Sequence, residues 1–216
     1  MKLYGYWRSG ASYRLRCALA LKGLGYDYVP VNLATGEQDE PAYQAINPLG
    51  LVPTLVADDG FSMTGSESII EWLEETVPTP PLLPSAPSER QKVRSFCHVI
   101  GAGVQPYHNL RVLNALKAGF GADDAAAKAW AARWIADGFT ALEKRLEDEP
   151  NRGPFAFGSE PGAADCYLVP QIYSADRFGV DMNDFPLLKA VGEACAKEEP
   201  FKLARPDAQP DAAPAK

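Results

Sequence analysis

A chain of 216 residues, 46% hydrophobic and 23% charged, has the composition of a folded globular protein of one large or two small domains, which excludes disorder as a whole. Its 28 acidic residues outnumber 21 basic ones, a formal net charge of −7, which excludes a general phosphate-backbone binder, so no nucleic-acid partner is expected. No apolar run reaches the roughly 18 residues of a spanning helix, and Met1-Lys2-Leu3-Tyr4 leads into a polar-aromatic stretch without a signal-peptide core, so no membrane partner and a cytoplasmic location are expected.

Lys2 to Tyr6 alternates apolar and polar residues like a strand, and Ser12 to Lys22 then places Leu15, Ala18, Leu19 and Leu21 at helical spacing before Gly23 ends the run. Tyr26 to Leu33, rich in Val and Tyr, reads as a second strand, followed by a weakly helical stretch from Glu37 to Ala45. Val52 to Ala57 and Phe61 to Met63 flank Asp58-Asp59-Gly60, a turn sequence that tolerates positive φ, and read as an antiparallel hairpin. A helix from about Gly65 to Thr76 follows, with Ile69, Ile70, Trp72 and Leu73 on its apolar face.

The order β-α-β-α-β-β-α matches a thioredoxin-like α/β domain over residues 1–80. Prolines at 78, 80, 81, 84 and 87 then favour an extended linker. Beyond it, Glu89 to Ala118, Asp123 to Glu149 and Ala163 to Phe178, with a shorter run near Leu187 to Lys197, predict an all-α C-terminal domain over residues 89–205. Pro206 to Lys216 carries no large apolar residue and is expected to be a mobile tail.

Cys17, Cys97, Cys166 and Cys195 are scattered with no C-x-x-C pair, and His98 and His108 are the only imidazoles, so neither a metal nor a dithiol site is expected. The stretch Trp7-Arg8-Ser9-Gly10-Ala11-Ser12 joins the first strand to the first helix, where free amides and the positive end of the helix dipole stabilise an anion. In a thioredoxin-like domain this position holds the reactive sulfur, yet no cysteine stands there, so a thiol ligand must bring it. Ser9 is then either a donor to that thiolate or simply a helix N-cap. Val52-Pro53 presents an X-Pro bond, open to a cis form, beside a backbone able to pair with an extended peptide. Gly65-Ser66-Glu67-Ser68 offers hydroxyls and amides to a carboxylate, or is an ordinary helix start. A tripeptide thiol suits all three positions.

Tyr6-Trp7-Arg8-Ser9-Gly10-Ala11-Ser12-Tyr13-Arg14-Leu15-Arg16, with Ile46-Asn47-Pro48, Val52-Pro53-Thr54-Leu55, Ile69-Ile70-Glu71-Trp72-Leu73-Glu74-Glu75, Gln105-Pro106, Asn109-Leu110-Arg111-Val112-Leu113 and Ala164-Asp165-Cys166-Tyr167-Leu168-Val169-Pro170-Gln171, resembles the zeta-class glutathione transferases, the maleylacetoacetate isomerases. The likeness runs from about residue 2 to residue 210. Ser9-Gly10-Ala11-Ser12 and the Phe120-Gly121-Ala122-Asp123 junction look more like the bacterial maleylpyruvate isomerase branch.

The resemblance implies the glutathione transferase fold, a homodimer, glutathione as cofactor, and cis-trans isomerisation of maleylacetoacetate or maleylpyruvate in aromatic-compound catabolism. It implies that Ser9 stabilises the glutathione thiolate, Gln38 meets its glycine end, Val52 and Pro53 clamp its backbone, and Ser66 meets its γ-glutamyl carboxylate. Arg8, Arg111 and Arg177 match arginines of a pocket for a small dicarboxylate, where Arg8 also takes a catalytic part and Gln105, His108 and Asn109 line the walls. Each arginine is alternatively a surface or interhelical ion pair, Arg177 with Asp176 beside it. The helix opening near Asp165 resembles the family's buried capping motif, with Gly162 where Ser or Thr is usual.

Two departures stand out. Ala11 replaces a cysteine of the family's Ser-Ser-Cys, and Gly65 replaces the Gln that precedes Ser66. The same pocket also suits a glutathione transferase conjugating or dehalogenating small α-halo acids, and the departures leave open a non-catalytic glutathione-binding protein.

Overall fold

In the computed structural model, which describes residues 1–149 and 152–212, β1 (Lys2–Gly5) buries Leu3 completely at the centre of a four-stranded sheet. It pairs in parallel with β2 (Asp27–Pro30) and antiparallel with β3 (Thr54–Val56), and β3 pairs antiparallel with β4 (Ser62–Thr64), giving the order β2-β1-β3-β4. Parallel neighbours need a crossover, which α1 (Gly10–Leu21) supplies by burying Leu15, Ala18 and Leu19. The β3–β4 hairpin turns at Gly60, whose N–H donates to the Ala57 carbonyl at 3.0 Å, while the Phe61 N–H donates to Asp59 Oδ1 at 2.9 Å.

Two boundaries moved for local reasons. Apolar spacing starts the first helix at Ser12, but the Ser9 hydroxyl accepts from the Ser12 N–H at 3.2 Å, which caps the helix and starts it at Gly10. The stretch Glu37 to Ala45 divides into a 3-10 turn, Glu37–Asp39, and α2 (Pro41–Gln44), because Pro41 has no N–H to continue the turn and instead opens a new helix. Then α3 (Ser66–Thr76) buries Ile69, Ile70 and Leu73.

The described residues form two units, Met1–Leu82 with the segment from Lys197 onward, and Leu83–Ala196. In the first, the C-terminal segment departs from expectation. Residues 199–212, expected to belong to the helical domain up to residue 205 and then to a mobile tail, fold onto the α/β unit. There α9 (Glu199–Ala204) lies against α1 with Phe201 buried, followed by a 3-10 turn, Pro206–Ala208. Pro206 and Gln209 are buried, and Gln209 Nε2 donates to the carbonyls of Leu203 and Arg205 at 3.0 and 2.9 Å. The mobile-tail expectation fails over residues 206–212 because polar anchors do what apolar ones were thought necessary for; its last four residues lie outside the described part.

The second unit is helical. The single run predicted from Glu89 to Ala118 is broken into α4 (Pro87–Gly103), a 3-10 turn (Gln105–His108) and α5 (Leu110–Phe120). Pro106 removes a donor from the ladder, and Asn109 restarts the helix by accepting from the Arg111 N–H at 3.2 Å. Two more long helices, α6 (Asp124–Glu147) and α7 (Ala163–Phe178), and the shorter α8 (Pro186–Cys195) complete it, α7 lying against α4, α6 and α8. Phe96, Ile100, Phe139, Leu142, Leu168 and Leu188 fill the core. All four cysteines are buried, and among the described residues no helix is long and apolar enough to cross a membrane.

Candidate active site

The β1–α1 junction leaves a helix start with unused donors. Of the first four amides of α1, Ser12 donates to Ser9 Oγ and Tyr13 to the Ser9 carbonyl at 2.8 Å, whereas those of Gly10 and Ala11 bond to no described residue. Ser9 is the N-cap of α1, its oxygen accepting from the Ser12 N–H. Arg8, beside it, is exposed, with its guanidinium 5.2 Å from the centroid of the Trp7 ring.

The second feature is the approach to β3. Tyr43 Oη and Asn47 Nδ2 both donate to the Leu51 carbonyl, at 2.6 and 2.7 Å, and this fixes the chain as it enters Val52. The Val52–Pro53 bond is cis, and neither backbone polar group of Val52 bonds to a described residue. Gln38 lies in the 3-10 turn, donating through Nε2 to Asp39 Oδ2 at 2.7 Å, with its Oε1 buried and unbonded. Gly50 makes this turn possible: its φ is +60°, and a Cβ there would stand 2.9 Å from the Gln38 carbonyl.

At the start of α3, Ser66 is buried and its Oγ accepts from Arg14 Nη1 at 3.1 Å. The same Nη1 reaches Glu67 Oε1 at 3.4 Å. Like Ser9, Ser66 accepts from a donor inside the protein. The amides of Ser66, Glu67 and Ser68 bond to no described residue. A carboxylate is thus offered a hydroxyl, helix-end amides and a nearby guanidinium.

In the helical unit, the candidate substrate residues gather around one turn. Gln105 and His108 belong to the 3-10 turn, Asn109 caps α5, and Arg111 stands exposed in the first turn of α5. The His108 ring nitrogen Nε2 lies 3.1 Å from the Gln171 side-chain amide, and its ring packs at 5.5 Å on Phe178. Arg177 is exposed at the end of α7, over the Phe178 ring at 5.2 Å. His108 and Arg177 therefore share Phe178.

Gln171, Arg14, Arg16 and Asp211 were not among the sequence candidates. Arg14 and Arg16 carried a usable signal, two cations spaced by one residue in an otherwise apolar helix, so that one had to be buried; both are. Asp211 carried none, since its partners lie some 200 residues away.

Comparison with known proteins identifies the family. Residues 3–81 match the family model for the glutathione S-transferase N-terminal domain, and residues 111–193 that for its C-terminal domain. The chain is 49% identical over 214 residues to a maleylpyruvate isomerase of a Ralstonia species, covering 99% of this chain and 100% of that one. It is similar to the holo structure of a maleylpyruvate isomerase described as a bacterial zeta-class glutathione S-transferase, with a TM-score of 0.97, 48% identity, and coverage of 99% and 100%. A maleylacetoacetate isomerase of Anaeromyxobacter dehalogenans, solved with dicarboxyethyl glutathione and citrate in its active site, has a TM-score of 0.88 and 43% identity over 99% of this chain and 94% of that one.

Proposed function

The chain belongs to the glutathione S-transferase family, and from that premise we propose that it is a glutathione-dependent cis-trans isomerase of maleylpyruvate or maleylacetoacetate, acting in aromatic-compound breakdown. A homodimer and a cytoplasmic place belong to the same proposal.

The α/β unit fits a tripeptide thiol on its own features. The backbone of Val52, whose two polar groups bond to no described residue, lies beside the cis Pro53 for the middle of the peptide. The start of α3, with Ser66 oriented by Arg14, suits the γ-glutamyl carboxylate, and Gln38, with an unbonded buried oxygen, suits the glycine end. Ser9 with the open amides of Gly10 and Ala11 suits the sulfur.

When bound, glutathione supplies a thiolate that adds to and departs from the maleyl double bond, allowing it to re-form trans. The protein must keep that sulfur ionised. A thiol ionises near pH 8.5, and making the thiolate the majority form at pH 7 requires a downward displacement worth about 2.7 kcal/mol. A charge-assisted bond from the Ser9 hydroxyl contributes about 1.5–3 kcal/mol, and the α1 terminus about 0.3–2 kcal/mol. Together they reach the requirement without a cysteine. In the same proposal the planar guanidinium forks of Arg8, Arg111 and Arg177 suit a substrate's carboxylates, and Gln105, His108 and Asn109 supply neutral polar groups.

The observation that carries the proposal is the start of α1, where a hydroxyl and two unused amides converge and no thiol of the protein is present. The test is a product assay with maleylpyruvate and with maleylacetoacetate. Isomerisation requires glutathione and leaves its concentration constant; consumption of glutathione would instead mean conjugation, and inertness toward both a binding protein.

A further inference from the structure

Both backbone polar groups of Trp7, the residue two before Ser9, are held by charged side chains that the proposed chemistry does not use. Its N–H donates to Asp211 Oδ2 at 3.0 Å, and its carbonyl accepts from Arg16 Nη2 at 3.0 Å. Arg16 is fully buried, and its Nε donates to the Ala204 carbonyl at 2.9 Å, so it bridges the loop to the end of α9. Its Nη1 is buried and unbonded, and among the described residues it has no carboxylate partner; burial pulls its basicity down. Asp211 Oδ2 also accepts from Tyr28 Oη at 3.2 Å, which anchors the carboxylate to β2.

A guanidinium without a counter-ion is expensive to bury. Here its donors are spent on the active-site loop and on the segment that brings Asp211 to that loop. The loop itself is joined to the rest of the unit by little else: the Ser9 N–H turns back on the Tyr6 carbonyl at 3.0 Å, and Tyr6 N–H reaches Ser12 Oγ at 3.4 Å. We propose that Asp211 and Arg16 are positioning residues, a clamp on the Trp7 peptide by which the C-terminal segment sets the placement of Ser9 and of the open amides at the start of α1. The inference rests on the glutathione-thiolate role proposed for Ser9.

The experiment uses the full chain and two readouts, amide hydrogen exchange at Trp7 without ligand and thiolate absorbance of bound glutathione titrated with pH. Asp211→Ala removes a charged acceptor and should speed Trp7 exchange about tenfold or more. It should also move the thiolate titration upward by about half a unit or more, with the KM for glutathione changing less than about threefold, because Val52 and Ser66 are untouched. Asp211→Asn keeps a carbonyl oxygen for the Trp7 N–H and should restore most of the protection, and Tyr28→Phe should leave Trp7 protected. Unchanged Trp7 exchange in Asp211→Ala would overturn the clamp. Faster exchange with an unmoved titration and unchanged kcat would overturn the positioning role. If wild-type protein gives no thiolate signal with glutathione, the functional proposal falls, and so does the positioning role that rests on it, while Trp7 exchange still decides whether the clamp itself exists.

Discussion

Replacing Ser9 by Ala removes two separable things. The first is the N-cap: Ser9 Oγ accepts from the Ser12 N–H at 3.2 Å, and loss of such a cap costs about 1 kcal/mol, a fall of roughly 2–4 °C in Tm for a chain of this size. The second is the outward O–H, whose bond to a thiolate is worth about 1.5–3 kcal/mol, or roughly one to two pH units in the thiol titration and about 10- to 150-fold in turnover. The amides of Gly10 and Ala11 remain in the variant, so activation should be reduced rather than abolished. Ser9→Asn separates the two effects, since its side-chain carbonyl caps the helix while the hydroxyl is gone. Tm should return close to wild type and the thiol should stay weakly acidic. Ser9→Thr retains both functions and should resemble wild type. Thiolate absorbance across a pH series, alongside thermal unfolding, reads both. A wild-type titration in Ser9→Ala would refute the argument and assign activation to the helix amides alone.

Arg8→Met and Arg111→Met should each lower kcat/KM for a dicarboxylate by about 30- to 150-fold, the loss of one charged donor, while scarcely changing that for a neutral thiol acceptor; equal losses on both substrates would make these arginines structural. Lys22 Nζ, buried, donates to Glu74 Oε2 at 2.9 Å and to the carbonyls of Val77 and Pro80 at 2.6 and 3.0 Å, so Lys22→Met should cost about 3–5 kcal/mol in urea unfolding, and a cost below about 1 kcal/mol would show that the pair is dispensable. Burial pushes the Asp165 carboxyl up to about 6 against hydrogen bonds from the Gly162 and Ala156 amides and the Cys195 thiol. As pH rises from about 4 to about 6 the unfolded chain releases this proton first, so the group's stabilising contribution, complete below pH 4, falls by about 3 kcal/mol, and Asp165→Asn should gain stability relative to wild type as pH rises from about 4 to about 6; a pH-independent difference would contradict this.

The α/β order was legible because each strand and helix there carries its own period, and the Asp58-Asp59-Gly60 turn announces the hairpin. The break between α4 and α5 was hidden because Ile100, Val104, Tyr107 and Leu110 continue helical spacing across it, although Pro106 and Asn109 mark it locally. The docking of residues 206–212 was hidden for a different reason. Its anchors are a buried proline, a glutamine amide bonded to two carbonyls and an aspartate, none of which an apolar-content argument weighs. For Arg16 the spacing with Arg14 signals burial of one of the pair, but not the carbonyl, 188 residues away, that Arg16 serves.

Much of the candidate glutathione site is backbone, and the two departures from the family pattern leave that backbone in place. Ala11 contributes an amide at the start of α1, and the amide is there whatever the side chain; the missing cysteine removes a thiol but no donor. Gly65 stands at φ +80° and ψ 104°, a conformation that L side chains rarely adopt, and a Cβ there would come within 3.2 Å of Ser68 Oγ. A glutamine at this position would add a side-chain amide and carry about 1–3 kcal/mol of backbone strain against the roughly 1 kcal/mol that one neutral hydrogen bond returns. Glycine gives up the bond and the strain together. What remains at α3 is the set of open amides from Ser66 to Ser68 and a serine whose hydroxyl is aimed by Arg14, and both are fixed by the helix start rather than by residue 65. Ser9 and Ser66 are thus alike in one respect: the oxygen of each accepts a hydrogen bond from a donor inside the protein.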